Sequence, residues 1–531
     1  MNKRIKNIVT VVLLAAFLFG FGAWAALKPA DSLSLSERRR LKQLPAVRMD
    51  AAEAIKMGLS RDGGLLTPCE IPQIDRAFLE SLVNARYQER AARVMGLYLT
   101  DYTYEELSGF AENAYGPEKF DCDAVAPVRT VDETTHCLEL WHGPTSAFKD
   151  MALQMLPQLL SAALRKTGEH KTVCILVATS GDTGKAALEG FKDVNKTRIL
   201  VFYPKDGVSD IQQLQMQTQE GDNVGVCAVV GNFDDAQTGV KRLFSDAALR
   251  DTLAGRGFFF SSANSINWGR ILPQIVYYIS AYCDLLKEGR IQKGDPINVC
   301  VPTGNFGNIL SAYYAKEMGV PIRKLICASN RNNVLTDFIQ TGVYDRNRSF
   351  YNTMSPSMDI LISSNLERML FEFTERDDEA VKTYMEELSA NGRYEVSEKV
   401  KKQLGRHFAA GCCDDAQTQA RIAQMWKDHH YLIDTHTAVA FHVLDQYRAE
   451  TGDETPTVVV STASPFKFCD SVLGALGATE LVQGTGILDQ LTALTGEPVP
   501  APLAALKDKA VRFDQVTEKE HMADRVLEML K

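Results

Sequence analysis

Between residues 172 and 328, short apolar runs without polar alternation take turns with stretches of helical period. No other feature of this sequence limits its fold as strongly. The runs at 172–178, 198–203, 224–230, 257–262, 297–301 and 324–328 each need cover on both faces. The stretches at 184–191, 234–246, 267–287 and 307–318, and one beginning at Ser209, supply helices to cover them. Such strands, separated by helices, form a parallel sheet with helices on either side. A further strand is expected at 457–460, and a charged helical insertion at 376–430.

Upstream, helices are expected at 50–57, 74–97 and 104–113, making a small, mostly helical unit over 46–125 with a turn-rich loop at 58–65. Residues 1–45 differ from the rest. Lys3, Arg4 and Lys6 precede an uncharged apolar run at 7–27, the shape of a signal peptide or membrane anchor. The alternative is a start codon set too far upstream. The net charge of −9 argues against a nucleic-acid partner. The compact basic run, Arg38-Arg39-Arg40 with Lys42, reads as a solvated segment. The 11 cysteines form no C-x-x-C, and Cys174, Cys227, Cys300 and Cys327 fall inside the apolar runs. They read as small buried hydrophobes of a cytoplasmic body. A membrane role is expected only if the apolar leader is genuine. His429, His430 and His436 lack a cysteine or acidic residue at metal-ligand spacing, so no metal is expected.

The chemistry-bearing candidates are a lysine and a set of strand-end loops. Lys149 follows the turn Gly143-Pro144-Thr145-Ser146 and opens an apolar run at 151–164 of helical spacing. A desolvated amine near other cations loses its proton readily and can form an imine with a carbonyl. The plain alternative is a solvated lysine in a first helical turn. Ligands of open α/β sheets bind at the carboxyl ends of strands, and unusual loops occur there. Thr179-Ser180-Gly181-Asp182-Thr183-Gly184 offers hydroxyls and backbone N–H groups to an anion. It is not a P-loop, because Lys185 is followed by Ala186. Thr303-Gly304-Asn305-Phe306-Gly307-Asn308 is a better phosphate cup at a helix N-terminus. Ser461-Thr462-Ala463 could give a hydroxyl to a neutral ring nitrogen. Ser265-Ile266-Asn267-Trp268-Gly269-Arg270 adds amides, hydroxyls and an arginine able to clamp an anion.

Together these segments resemble threonine synthase, a family of fold-type II pyridoxal-phosphate enzymes. The resemblance also takes in Asp434-Thr435-His436-Thr437-Ala438, Ser355-Pro356-Ser357-Met358-Asp359-Ile360 and Ser363-Ser364-Asn365, and runs in family order over roughly 47–480. It implies two open, mostly parallel α/β sheet domains behind a small helical N-terminal domain: 46–125, a catalytic part at 126–480, and a helical tail at 481–531. It implies pyridoxal 5'-phosphate carried by Lys149, its phosphate cupped by Gly304, Asn305, Phe306, Gly307 and Asn308, and Thr462 at its ring nitrogen. Thr179, Ser180, Asp182 and Thr183 would face substrate, and Ser265, Asn267 and Arg270 the substrate's phosphate. The implied reaction turns O-phospho-L-homoserine and water into L-threonine and phosphate. Alternatives on the same fold are a phospholyase giving 2-oxobutyrate and a binding protein without turnover. The family's usual start, a strand carrying Ser-Thr-Arg, is not recognisable upstream of Val47.

Overall fold

The structure, a computed structural model, describes residues 48–60, 63–205, 207–231 and 233–530. The chain divides into two units, Met1–Met49 and Asp50–Lys531, and every element below belongs to the second. The leader-like stretch at 1–45 lies outside the described residues. Among those described, no helix is long and apolar enough to cross a membrane.

The strands are β1 (Val128–Thr130), β2 (Thr135–Glu139), β3 (Thr172–Ala178), β4 (Thr197–Pro204), β5 (Val224–Val229), β6 (Phe258–Ser261), β7 (Ile297–Pro302), β8 (Ile322–Ser329), β9 (Val343–Asp345), β10 (Arg393–Glu395), β11 (Phe408–Cys412), β12 (Thr457–Ser461) and β13 (Val516–Thr517). A six-stranded sheet runs β1-β2-β12-β7-β8-β11, and a five-stranded one β13-β5-β4-β3-β6. In the first, β1 and β2 pair antiparallel and the other neighbours parallel. In the second all neighbours are parallel. The two open, mostly parallel sheets expected are both present, with helices before them.

The apolar runs have a direct cause. In β3, Val173, Ile175 and Val177 enter one core while Cys174 and Leu176 enter another. In β8, Leu325 and Cys327 likewise oppose Ile326 and Ala328. A strand between two cores has no face left for polar residues. Each of the Val, Leu and Ile side chains, fully buried, contributes about 1.5–3 kcal/mol. Cys174, Cys227, Cys300 and Cys327 are buried and free.

Some elements differ from expectation. Strand β2 reads as polar, yet every position is buried. The side chains of Thr135 and Glu139 find partners: Arg448 donates to Thr135 Oγ1 at 2.9 Å, and Tyr431 to Glu139 Oε1 at 2.8 Å. The expected helix at 74–97 is split into Arg76–Leu82 and Tyr87–Gly96. Arg90 of the second piece donates to the carbonyls of Leu82 (2.9 Å) and Val83 (2.8 Å), capping the end of the first. The apolar run after Lys149 likewise forms two helices, Lys149–Leu153 and Leu156–Lys166. Pro157 is tolerated in the first turn of the second, where an N–H has no helical partner anyway. Residues 376–430 are not helical throughout, since they hold β10 and the sheet-edge strand β11. The tail is not purely helical either: β13 pairs with β5.

Candidate active site

The loops after β3, β6, β7 and β12 converge on one cavity of about 1290 Å³. These are the carboxyl ends of parallel strands from both sheets, where the fold leaves backbone groups free for a ligand. The cavity is lined by Lys149, Thr179, Ser180, Thr183, Ser265, Arg270, Gly304, Asn305, Phe306, Gly307, Asn308 and Thr462. Of the residues singled out from sequence, Asp182 and Asn267 are not among those lining it.

Lys149 starts the helix Lys149–Leu153, just after Ser146, which holds a left-handed φ of 57°. The backbone sews this loop to the one after β12. Phe148 N donates to Thr462 O at 2.8 Å, Ser464 N donates to Ser146 O at 3.1 Å, and Ala147 bridges Ala463. Lys149 and Thr462 are therefore held in fixed relation. Beneath them Asp150 accepts from Thr145 N at 2.9 Å and Thr145 Oγ1 at 2.7 Å. Burial pushes the Asp150 carboxyl up to about 6. Burial also pushes the Lys149 amine down to about 8; the charge of Asp182 opposes this, while Arg270 and Lys467 reinforce it.

Asp182 belongs to a buried ion pair that the sequence reading missed. Lys467 Nζ lies 2.7 Å from Asp182 Oδ1 and donates to Thr145 O at 3.0 Å. Gln212 Nε2 donates to the same carboxylate at 2.9 Å. Burial alone would raise the Asp182 carboxyl, but Lys467 and Lys149 hold it well below the usual range. Gly181 makes the turn into the helix Asp182–Phe191 at φ 131°, and a Cβ there would meet the Gln212 side chain. Thr179 lines the cavity, but its Oγ1 accepts from Gly181 N (3.0 Å) and Gly184 N (2.8 Å), so it shapes the loop. The available signal for Lys467 was a lysine set between Phe466 and Phe468 just past a strand-end loop.

The loop after β7 leads into the helix Gly307–Met318 through Phe306, a non-glycine residue at φ 62°. Such backbone strain persists where surroundings enforce it and is common at ligand sites. A Cβ on Gly304 would lie 2.8 Å from Ser357 O. Asn308 Oδ1 accepts from Tyr277 at 2.6 Å and from Tyr278 at 2.5 Å, while its buried Nδ2 has no acceptor. Arg270 donates to Ala263 O, its buried Nε has no acceptor, and among the described residues no acidic side chain pairs with it. Burial presses the guanidinium down to about 10. Buried donors without acceptors are rare in folded proteins, and two on residues lining one cavity suit anionic ligands.

Asn267 has a different task. Its side chain caps the helix Trp268–Lys287, accepting from Gly269 N at 2.9 Å, and donates to Ile55 O at 2.9 Å. His436, noted in sequence with His429 and His430, lines the cavity. It contacts Asp434 Oδ2 at 2.8 Å and accepts from Ser357 N at 3.2 Å, which ties down the 357–360 wall. Among the described residues no cluster of potential ligands could hold a metal ion.

Three family models match in order along the chain: threonine synthase N terminus over residues 42–115, pyridoxal-phosphate dependent enzyme over 136–463, and threonine synthase, C-terminal, over 437–526. Threonine synthase-like 1 of Homo sapiens is 42% identical over 440 residues, with 81% of this chain and 58% of that protein aligned. This chain thus spans 58% of that relative's length. Threonine synthase of Pseudomonas aeruginosa is 38% identical over 434 residues, covering 81% of this chain and 88% of the relative. Among solved structures, PLP-bound threonine synthase from Brucella melitensis superposes with a TM-score of 0.80 at 36% identity, over 91% of this chain and 97% of that one. The yeast threonine synthase gives 0.81 at 32% identity, over 92% and 97%. The chain belongs to the threonine synthase family of fold-type II, pyridoxal-phosphate-dependent enzymes.

Proposed function

We propose that this protein converts O-phospho-L-homoserine and water to L-threonine and phosphate, with pyridoxal 5'-phosphate as its cofactor. The supporting observation is the meeting, in one cavity, of a desolvated lysine amine and two separate sets of anion donors. One set suits the cofactor's phosphate, which leaves the other for an anionic group of the substrate.

The residues present fit the cofactor. Its phosphate suits the N-terminus of the helix Gly307–Met318, the close backbone approach at Gly304 and the unpaired Nδ2 of Asn308. The Thr462 hydroxyl suits a neutral ring nitrogen, and Lys149 the aldehyde carbon. When bound, pyridoxal phosphate supplies a sink for negative charge at the substrate's Cα.

The chain's own groups do the rest. Lys149 Nζ, with a conjugate acid near 8, takes the Cα proton and later returns one. As Cβ loses a proton, the Cγ–O bond to phosphate breaks. Arg270 and the hydroxyls of Ser265, Ser180 and Thr183 receive the charge on the departing phosphate. Cγ then gains a proton, and water places its hydroxyl on Cβ.

The test is product analysis. Purified protein with pyridoxal phosphate and O-phospho-L-homoserine is expected to release threonine and phosphate in equal amounts. Formation of 2-oxobutyrate without threonine, or no phosphate release at all, would contradict the proposal.

A further inference from the structure

Arg368 is buried, does not line the cavity, and spends every hydrogen bond on a neutral oxygen. Its Nε donates to Leu66 O (2.9 Å), Nη1 to Ser265 O (3.1 Å) and Asn365 Oδ1 (2.6 Å), and Nη2 to Ile266 O (2.6 Å). Among the described residues no carboxylate pairs with it. A guanidinium only donates, so the Asn365 atom that faces it is the carbonyl oxygen. The Asn365 Nδ2 then donates to Asn305 O at 3.1 Å and to Ser265 Oγ at 2.8 Å. Asn305 O only accepts, so the amide is fixed from both ends.

The consequence falls on Ser265. Its oxygen already accepts from Asn365, so its own proton must leave in another direction. Among the described residues no acceptor takes it, and Ser265 lines the cavity. The same amide ties Ser265, on the loop after β6, to Asn305, on the loop after β7.

We propose that Arg368 and Asn365 are positioning residues that lock the Ser265 hydroxyl as a donor toward the substrate's phosphate. The inference rests on the reading of the cavity given under Proposed function. Neither residue touches the ligand. Arg368 fixes the amide, the amide fixes the hydroxyl, and the hydroxyl selects for an acceptor-only anion over a group that must donate.

The test uses Asn365→Asp, which keeps the shape and puts an acceptor where Nδ2 stands. The Ser265 proton is then drawn back to residue 365. Ser265→Ala and the double variant complete a cycle. Two quantities are read on cofactor-loaded protein: the KM and kcat for O-phospho-L-homoserine, and the affinity for inorganic phosphate by calorimetric titration. Each single variant is expected to weaken phosphate binding and to lower kcat/KM by about tenfold, the size of one lost hydrogen bond to a charged group. The double variant is expected to match the weaker single. Phosphate affinity unchanged in Asn365→Asp, or effects that multiply in the double variant, would overturn the proposal. If Asn365→Asp does not fold, Ser265→Ala decides alone, and unchanged phosphate affinity there is the contrary result. Absence of threonine from wild-type protein defeats the proposed function, whereas the phosphate titration still decides the role of Asn365.

Discussion

At Lys149 the proposed chemistry depends on how much the protein disfavours a charged amine. Burial lowers its proton affinity to about 8, against 10.5 for a free lysine. The base form therefore grows with pH, and kcat is expected to rise with pH and level off above about 8. Lys467 is one of the charges responsible, so Lys467→Met is expected to move this rise to higher pH, as kcat–pH profiles will show. The same change strands Asp182 without its cation. Breaking a buried pair in this way costs about 3–5 kcal/mol, which a denaturant melt reads directly. The two lysines were not equally legible. Lys149 stands in a turn ahead of an apolar run, within a motif that carries a family resemblance. Lys467 sits among phenylalanines, and its partner Asp182 reaches it only through the fold.

At the scale of elements, the loop bearing Lys149 is held by a histidine clamp. His142 Nδ1 lies 2.7 Å from Asp121 Oδ1, Nε2 lies 2.9 Å from Glu139 Oε2, and its ring stacks on Trp141 at 4.3 Å. Burial lowers the imidazole's proton affinity, but the two carboxylates outweigh it and raise the value to about 9. A folded-state value above the ordinary 6.5 stabilises fully below 6.5 and loses that contribution as pH rises through 9. Because Asp121 is half exposed, the loss is expected to be only about 1–2 kcal/mol. Denaturant midpoints measured across this window should fall for the wild type and stay flatter for His142→Gln. Strand β2, which ends in Glu139, was hidden in the sequence because its Thr, His and Glu read as surface residues. The partners of Thr135 and Glu139, Arg448 and Tyr431, come from distant parts of the chain. Strands β3 and β8 are apolar where they face the cores, so their runs were plain.

Across the whole molecule, the order of strands is what the sequence could not display. β12 inserts between β2 and β7, and β13, almost at the end of the chain, joins the edge of the smaller sheet. A two-residue strand carries no periodic signal, so the tail read as helical. Yet Met522, Val526 and Leu530 pack in one core with Leu200, Val229 and Val240. Removing residues 509–531 is expected to cost several kcal/mol, at about 1.5–3 kcal/mol for each buried apolar side chain. A truncated chain that melts with the full-length protein would show that this reading of the tail is wrong. The cavity lies where the carboxyl ends of strands from both sheets converge, so its stability and its chemistry share the same scaffold. Lys149, among all the lysines, is proposed to hold the cofactor. Borohydride reduction of cofactor-loaded protein followed by peptide mapping reads this out. A phosphopyridoxyl group is expected on Lys149 and absent from Lys149→Ala; a label on Lys467 or Lys185, or none, would rule the assignment out.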